Sequence, residues 1–317
     1  MKPIVAFPFR HHGELVSPDA KKMLLDAGFE LVCNDTGRRL TVEEQKEMIR
    51  DAFAVVSGTE QYDEDMLSAA PNLKVVIRFG VGTDNFDLAA MKRRGIAVGV
   101  ISNNNCVAEF AVTLILGVIK NIRLFDQTVR EGGWARYTMH ELKSKTVGIV
   151  GFGRIGKRLA QLLQGFDVEM LTYDPYVKEE EAAALNVKPV SLETLLAESD
   201  VVSLHIPATP QTRHLINKDT IAMMKDGAYL VNTSRGALIH EPSLVEALQS
   251  GKLAGAALDV YEREPVTEDL ALGKLDNTLL APHVAALSVE TNYNAGITSA
   301  ESIIRVFHGG TPLYPVQ

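Results

Sequence analysis

Long apolar runs are missing from this 317-residue chain. The longest, Phe110–Ile119, is interrupted by Thr113 and stops at Lys120, well short of the ~20 residues a membrane-spanning helix needs. Only two cysteines are present, Cys33 and Cys106, in unrelated contexts. That excludes a disulfide framework and predicts reduced thiols and a cytoplasmic address. Excess positive charge is absent too: the formal net charge is −8. Nucleic acids and anionic membranes select for basic patches, so neither is expected as a partner. Residues Met1 to Pro8 hold neither a long apolar run nor a small-residue cleavage site, so no signal peptide is expected. Tandem repeats and low-complexity segments are lacking as well.

What is present is an ordinary globular composition, 46% hydrophobic and 23% charged, with enough chain for about two domains. Two blocks of alternating strands and helices are legible. In the first, Pro3–Phe7, Ala52–Ser57, Leu73–Ile77 and Gly95–Val100 read as buried strands. A helix is expected there with Ser17 as its N-cap, Pro18 at the first position and Gly28 ending it. Runs rich in β-branched residues, without period-two alternation, predict a parallel sheet covered on both faces. Ser102–Asn105 is a polar break and the candidate hinge, and Val107–Ile122 is apolar almost all round, as in a deeply buried helix.

In the second block the candidate strands are Val147–Val150, Val168–Tyr173, Val201–Ile206, Ala228–Asn232, Ala256–Asp259 and Thr278–Ala281. Helical patterns at Ile155–Phe166, Leu192–Glu198, Lys218–Met224 and Pro242–Gln249 lie between most of them. That alternation predicts an open, doubly wound α/β sheet. Val289–His308 reads as a helix crossing back to the first block.

Gly151-Phe152-Gly153-Arg154-Ile155-Gly156 matches G-x-G-x-x-G between a strand and a helix, and the next strand ends at Asp174. Such glycines permit a tight turn and close backbone approach, while the helix N-terminus offers free N–H groups to a pyrophosphate. Asp174 can accept from both ribose hydroxyls and would repel a 2′-phosphate. No basic residue follows before Lys178, so NAD is favoured over NADP.

Open α/β sheets bind ligands beyond the carboxyl ends of their strands. His205, Asn232–Arg235, Asp259 and His283 fall at such ends, and Glu264 follows Asp259 closely. Arginine binds a carboxylate bidentately and polarises the neighbouring carbonyl. Histidine exchanges the hydroxyl proton near neutral pH, and a carboxylate beside it fixes the tautomer and favours imidazolium. His205 reads as packing support for an adenine pocket. His11 and His12 read as solvated, and no metal is expected. His214, His240 and His308 receive no role, and Met223–Met224 reads as core.

Five separated motifs then carry a family resemblance: Arg78–Asn85, the phosphate loop, Val231–Gly236, Ala257–Val260 and Ala281–His283. In this order they resemble the D-isomer-specific 2-hydroxyacid dehydrogenases, within them the phosphoglycerate dehydrogenase-like group, over essentially the whole chain. The resemblance implies two doubly wound parallel-sheet domains, a Rossmann NAD-binding domain at 102–285 and a smaller flavodoxin-like substrate domain split between 1–101 and 286–317. It implies closure about the hinge, His283 as acid/base, Glu264 as its partner and Arg235 as the substrate clamp. Glu264, rather than Glu262, is selected because the family places its acid directly before the proline. The family's NAD contacts fall on Val81, Arg154, Ile155, Asp174, Ile206, Thr233, Ser234, Arg235, Asp259, His283 and Ala286, beside Gly151, Gly153 and Gly156. Substrate contacts fall on Arg78, Gly80, Val81, Gly82 and Arg235. A homodimer joined through the NAD domains is implied, with Phe110–Trp134 as its candidate surface.

The implied substrate is a small 2-oxo acid of the phosphohydroxypyruvate, hydroxypyruvate or glyoxylate class. Val55–Glu60 lacks the arginine that phosphoglycerate dehydrogenases carry there, and Glu60, Asp63, Glu64 and Asp65 form an acidic rim that opposes a phosphate. The end at Gln317 predicts no regulatory serine-binding extension. The alternative function is a catalytically idle, NAD(H)-responsive scaffold of the corepressor type, against which an intact Arg235, Glu264 and His283 argue. A formate dehydrogenase relative fits poorly, because its histidine partner is usually an amide.

Overall fold

The computed structural model describes residues 2–9, 16–101 and 105–316. His11, His12 and most of the expected hinge lie outside them. Contacts divide the chain into two compact units, Met1–Asn103 with Ala286–Gln317, and Asn104–Ala285.

The first unit alternates β1 (Ile4–Phe7), α1 (Pro18–Asp26), β2 (Glu30–Cys33), α2 (Val42–Ile49), β3 (Ala52–Ser57), α3 (Glu64–Ser68), β4 (Val75–Arg78), α4 (Leu88–Arg93) and β5 (Ala97–Val100). Its strands pair in parallel in the order β2-β1-β3-β4-β5. This is the flavodoxin-like order, which reverses between β1 and β3. Val5, Phe7, Val56 and Ile77 are buried on one face of the sheet, and Ala6, Val55 and Val76 on the other. Both faces are dry, which explains the unbroken apolar runs. As expected, Ser17 caps α1, accepting from the Ala20 N–H at 3.2 Å, Pro18 opens it, and Gly28 turns away at φ +89°.

The second unit runs α5 (Asn105–Ile119), α6 (Ile122–Arg130), β6 (Thr146–Val150), α7 (Arg154–Leu163), β7 (Glu169–Tyr173), α8 (Glu179–Ala183), β8 (Val187–Pro189), α9 (Leu192–Glu198), β9 (Val201–Leu204), α10 (Lys218–Met223), β10 (Ala228–Asn232), α11 (Glu241–Ser250), β11 (Leu253–Leu258) and β12 (Thr278–Leu280). Seven parallel strands lie in the order β12-β11-β10-β9-β6-β7-β8. The order reverses between β6 and β9, the switch point at which a doubly wound sheet opens a crevice. The last helix, α12 (Val289–Phe307), returns to the first unit, where Ala295, Ala300 and Ile303 join its core.

One expected helix is corrected. The apolar stretch from Val107 does not continue to Ile122. Asn121 takes φ +51° and breaks it, and α6 restarts with none of its residues buried. The candidate dimer surface contracts accordingly. Ala108, Ala111, Ile115 and Ile119 of α5 are core, whereas Ile122, Val129, Trp134, Tyr137 and Met139 are exposed.

No helix among the described residues is long and apolar enough to cross a membrane.

Candidate active site

β6 delivers the chain to Gly151, which sits at φ +100°. A Cβ there would lie 2.5 Å from the His205 carbonyl oxygen, so only glycine fits the turn. Gly153 faces open space, and α7 starts behind it. No side chain among the described residues caps the start of this helix, the end at which anions bind. Asp174 accepts from the Phe152 N–H and the Tyr176 N–H, both at 2.8 Å. A carboxylate has about four acceptor sites, so Asp174 fixes the loop and keeps capacity for a ribose. At the end of β10 the Thr233 hydroxyl is buried with no partner among the described residues, a group awaiting a ligand. Open space before Gly153, an uncapped helix start and an orphaned hydroxyl fit a bound dinucleotide.

His205, first residue past β9, shares a hydrogen bond with Ser203 Oγ at 2.8 Å through Nε2, while its buried Nδ1 has no partner among the described residues. Burial lowers its pKa from 6.5 to about 4. Between those values the unfolded chain binds a proton that the folded chain refuses. Stability therefore falls as pH drops through that window, by on the order of 3 kcal/mol in all. The urea midpoint of His205→Asn is expected to decline less steeply from pH 6.5 to 4 than that of the wild type. Equal slopes would remove this role.

The catalytic candidates are set by short backbone devices. Asn232, fully buried, accepts from the Ser234 N–H at 2.9 Å and Ser234 Oγ at 2.8 Å, and donates to the Arg235 carbonyl at 2.8 Å. This side-chain turn directs Arg235, whose Nη1 donates to the Ser234 carbonyl at 2.7 Å. Asp259, also fully buried, accepts from the Val284 and Ala285 N–H groups at 2.8 Å each. Its own carbonyl accepts from the His283 N–H at 2.8 Å. The turn is thereby held with His283 at φ +57°. Burial pushes the Asp259 carboxyl up, against the two N–H bonds that stabilise its charge.

His283 Nδ1 lies 2.6 Å from Glu264 Oε2, and Glu264 Oε1 accepts from the Tyr261 N–H at 3.0 Å. Burial works to raise the Glu264 pKa, but hydrogen bonds from His283 and Tyr261 and the charges of His283 and Arg235 outweigh it. The net value lies below the ordinary one. With Nδ1 engaged, Nε2 is the ring atom left for proton exchange.

The family model for the NAD binding domain of D-isomer-specific 2-hydroxyacid dehydrogenases matches residues 112–285. The chain belongs to that family. It is 42% identical to a glyoxylate reductase of Thermofilum pendens, over 85% of this chain and 83% of that one. It is 41% identical to a D-3-phosphoglycerate dehydrogenase of Archaeoglobus fulgidus over 84% of this chain, but spans only 52% of that longer protein. A crystal structure of a glyoxylate reductase from Paecilomyes thermophila superposes with a TM-score of 0.87 at 29% identity, over 99% and 98% of the two chains.

The NAD-binding unit of this dehydrogenase family member thus carries Gly151, Gly153, Arg154, Ile155, Gly156, Asp174, Ile206, Thr233, Ser234, Arg235, Asp259, Glu264 and His283. Arg78, Gly80, Val81, Gly82 and Ala286 belong to the other unit. There Arg78 folds onto its own loop, Nε to the Gly82 carbonyl at 3.0 Å and Nη1 to the Phe79 carbonyl at 3.2 Å. Among the described residues no cluster of three or more His, Cys, Asp or Glu could hold a metal.

Two residues gain a place the sequence did not suggest. His214 Nε2 is hydrogen-bonded to Glu262, and the Glu262 N–H donates to Glu241 at 2.7 Å. Together they brace the loop that carries Glu264. The partners are distant in sequence, so no local pattern could have revealed them.

Proposed function

We propose that the chain is an NAD-dependent D-2-hydroxyacid dehydrogenase, moving hydride reversibly between NADH and a small 2-oxo acid of the phosphohydroxypyruvate, hydroxypyruvate or glyoxylate class. The observation that carries this is the 2.6 Å His283–Glu264 pair in the same unit as the phosphate loop.

Bound NADH supplies the hydride. Arg235 clamps the substrate carboxylate and draws electron density from the adjacent carbonyl. His283 Nε2 gives its proton to the carbonyl oxygen as hydride reaches the carbon, and takes it back in the reverse direction. Glu264 keeps the ring oriented and steadies its charged form, while Asp259 holds the turn beneath it. The Gly80–Gly82 amides are the second candidate hold on the carboxylate. Exposed Ile122, Val129, Trp134, Tyr137 and Met139 support a homodimer through the NAD-binding unit. Two free cysteines support a cytoplasmic address.

The test is NADH absorbance with purified protein and phosphohydroxypyruvate, hydroxypyruvate, glyoxylate, pyruvate and longer 2-oxo acids. Turnover of any supports the reading, whereas NADH binding without turnover across the panel overturns it. On cofactor choice, Asp174→Asn keeps an acceptor for the Phe152 N–H and removes the charge. It is expected to raise the KM for NADH about ten- to a hundredfold and to shift preference towards NADPH. An unchanged NADH/NADPH ratio would contradict the role of Asp174.

A further inference from the structure

In the first unit the strand order reverses between β1 and β3, so its ligand crevice opens beyond Phe7 and Ser57. Beyond β3 the Gly58 N–H is already taken: it donates to Glu60 Oε2 at 2.6 Å. Ser57 Oγ lies 3.4 Å from the same oxygen. A Cβ built on Gly58 would meet Phe9 Cβ at 3.0 Å and both Glu60 carboxylate oxygens at 3.1 and 3.2 Å. The protein's own carboxylate therefore occupies the N–H at the end of β3.

This loop is joined to the one after β4. The Phe79 N–H donates to the Ser57 carbonyl at 2.8 Å, Asn85 Nδ2 to the Glu60 carbonyl at 2.5 Å, and the Tyr62 N–H to the Asn85 carbonyl at 2.8 Å. The loop that carries Glu60 is thus tied to the loop that carries Gly80–Gly82, the candidate hold for the substrate carboxylate.

The acidic rim read from the sequence resolves into two ion-paired carboxylates and two held by neutral groups. Asp63 caps α3, accepting from the Met66 N–H at 2.9 Å. Glu64 pairs with Arg93 at 3.0 Å and Arg94 at 2.5 Å, and Asp65 pairs with Lys46 at 2.7 Å. Glu60, like Asp63, has no ion pair among the described residues; its carboxylate is held by a neutral N–H and a hydroxyl, at the end of β3. One neighbouring cation, Arg39, donates to the Thr59 hydroxyl at 3.0 Å.

We propose that Glu60 is a specificity-determining residue, an internal anion that makes this chain reject 2-oxo acids bearing a second anionic group in favour of those whose 3-substituent is neutral. The proposal rests on the dehydrogenase reading above and narrows its substrate to the unphosphorylated members. A phosphate dianion would lose the Gly58 N–H to Glu60 and face the carboxylate's charge at short range. One such charge a few ångströms away changes rates on the order of a hundredfold at the dielectric of a partly buried site.

The test compares kcat/KM for hydroxypyruvate and phosphohydroxypyruvate in the wild type, Glu60→Gln and the control Asp65→Asn. Glutamine keeps an oxygen for the Gly58 N–H and removes only the charge. Expected are a wild-type preference for hydroxypyruvate of about a hundredfold, falling about tenfold or more in Glu60→Gln through gain of the phosphorylated substrate, and an unchanged ratio in Asp65→Asn. Salt should narrow the wild-type ratio and not that of Glu60→Gln, which keeps the test open through the wild type should the variant fail to fold. Parity of the two substrates in the wild type, or an equal ratio in Glu60→Gln, overturns the proposal and leaves the dehydrogenase reading standing. Silence of the wild type towards every 2-oxo acid overturns both.

Discussion

His283→Ala is expected to lower kcat by about a thousandfold, within the range of 10²–10⁴ that a positioned acid/base contributes, while the Kd for NADH changes by less than about threefold. The asymmetry follows from where the residue sits. The phosphate loop and Asp174 belong to β6, α7 and β7, whereas His283 stands three residues past β12. Its ring is partly exposed, at 48%, so truncation leaves little cavity behind. The Asp259 carboxylate holds the backbone turn through the Val284 and Ala285 N–H groups, and the substitution leaves these bonds in place. Fluorescence titration with NADH separates binding from chemistry. A variant that binds NADH and turns over within tenfold of the wild type would remove His283 from the proton-transfer role. Burial works to raise the Glu264 carboxyl, but the bonds from His283 and Tyr261 hold it below its ordinary value, so it stays the charged partner of the ring to a lower pH than a free glutamate would.

Much of this arrangement was legible locally. Ser17-Pro18 and Gly28 bracket a helix because capping and left-handed termination are properties of single residues. The phosphate loop is readable because its glycines, strand and helix are contiguous. The second strand, Glu30–Cys33, was missed: it is an edge strand of four residues, none fully buried, and leaves little apolar signal. Val187–Pro189 is shorter still, at the opposite edge of the other sheet and ending in proline. The break at Asn121 depends on one residue adopting φ +51° inside an apolar pattern that favours continuation. Long-range polar pairing was wholly hidden. Composition shows four carboxylates in residues 60–65, but only three dimensions show that Glu64 and Asp65 are ion-paired while Asp63 caps α3 and Glu60 turns back onto the Gly58 N–H. The same holds for Asp259, whose two buried bonds to the turn after His283 make it a support for that residue.

Gly236→Ala offers the sharpest test of how the catalytic pair is positioned. A Cβ at this residue would fall 1.9 Å from the Tyr261 carbonyl carbon and oxygen and 2.5 Å from the Glu262 nitrogen. These are backbone atoms, so relief requires the 259–265 loop to move. That loop is held in place by His214 on Glu262 and by Glu241 on the Glu262 N–H at 2.7 Å. It cannot retreat without straining those bonds and the 3.0 Å bond from the Tyr261 N–H to Glu264. Overpacking of this kind costs about 1–3 kcal/mol, and a displacement of ~1 Å at a catalytic group costs about a hundredfold in rate. The variant is therefore expected to melt several degrees lower and to lose about a hundredfold in kcat with NADH binding retained. Gly273→Ala, where an added Cβ meets nothing within 4 Å, should change neither. Because the damage is argued to pass through Glu264, adding Gly236→Ala to Glu264→Gln should cost much less than on the wild-type background. Full additivity of the two would mean that Gly236 disturbs the site by some route other than the His283–Glu264 pair.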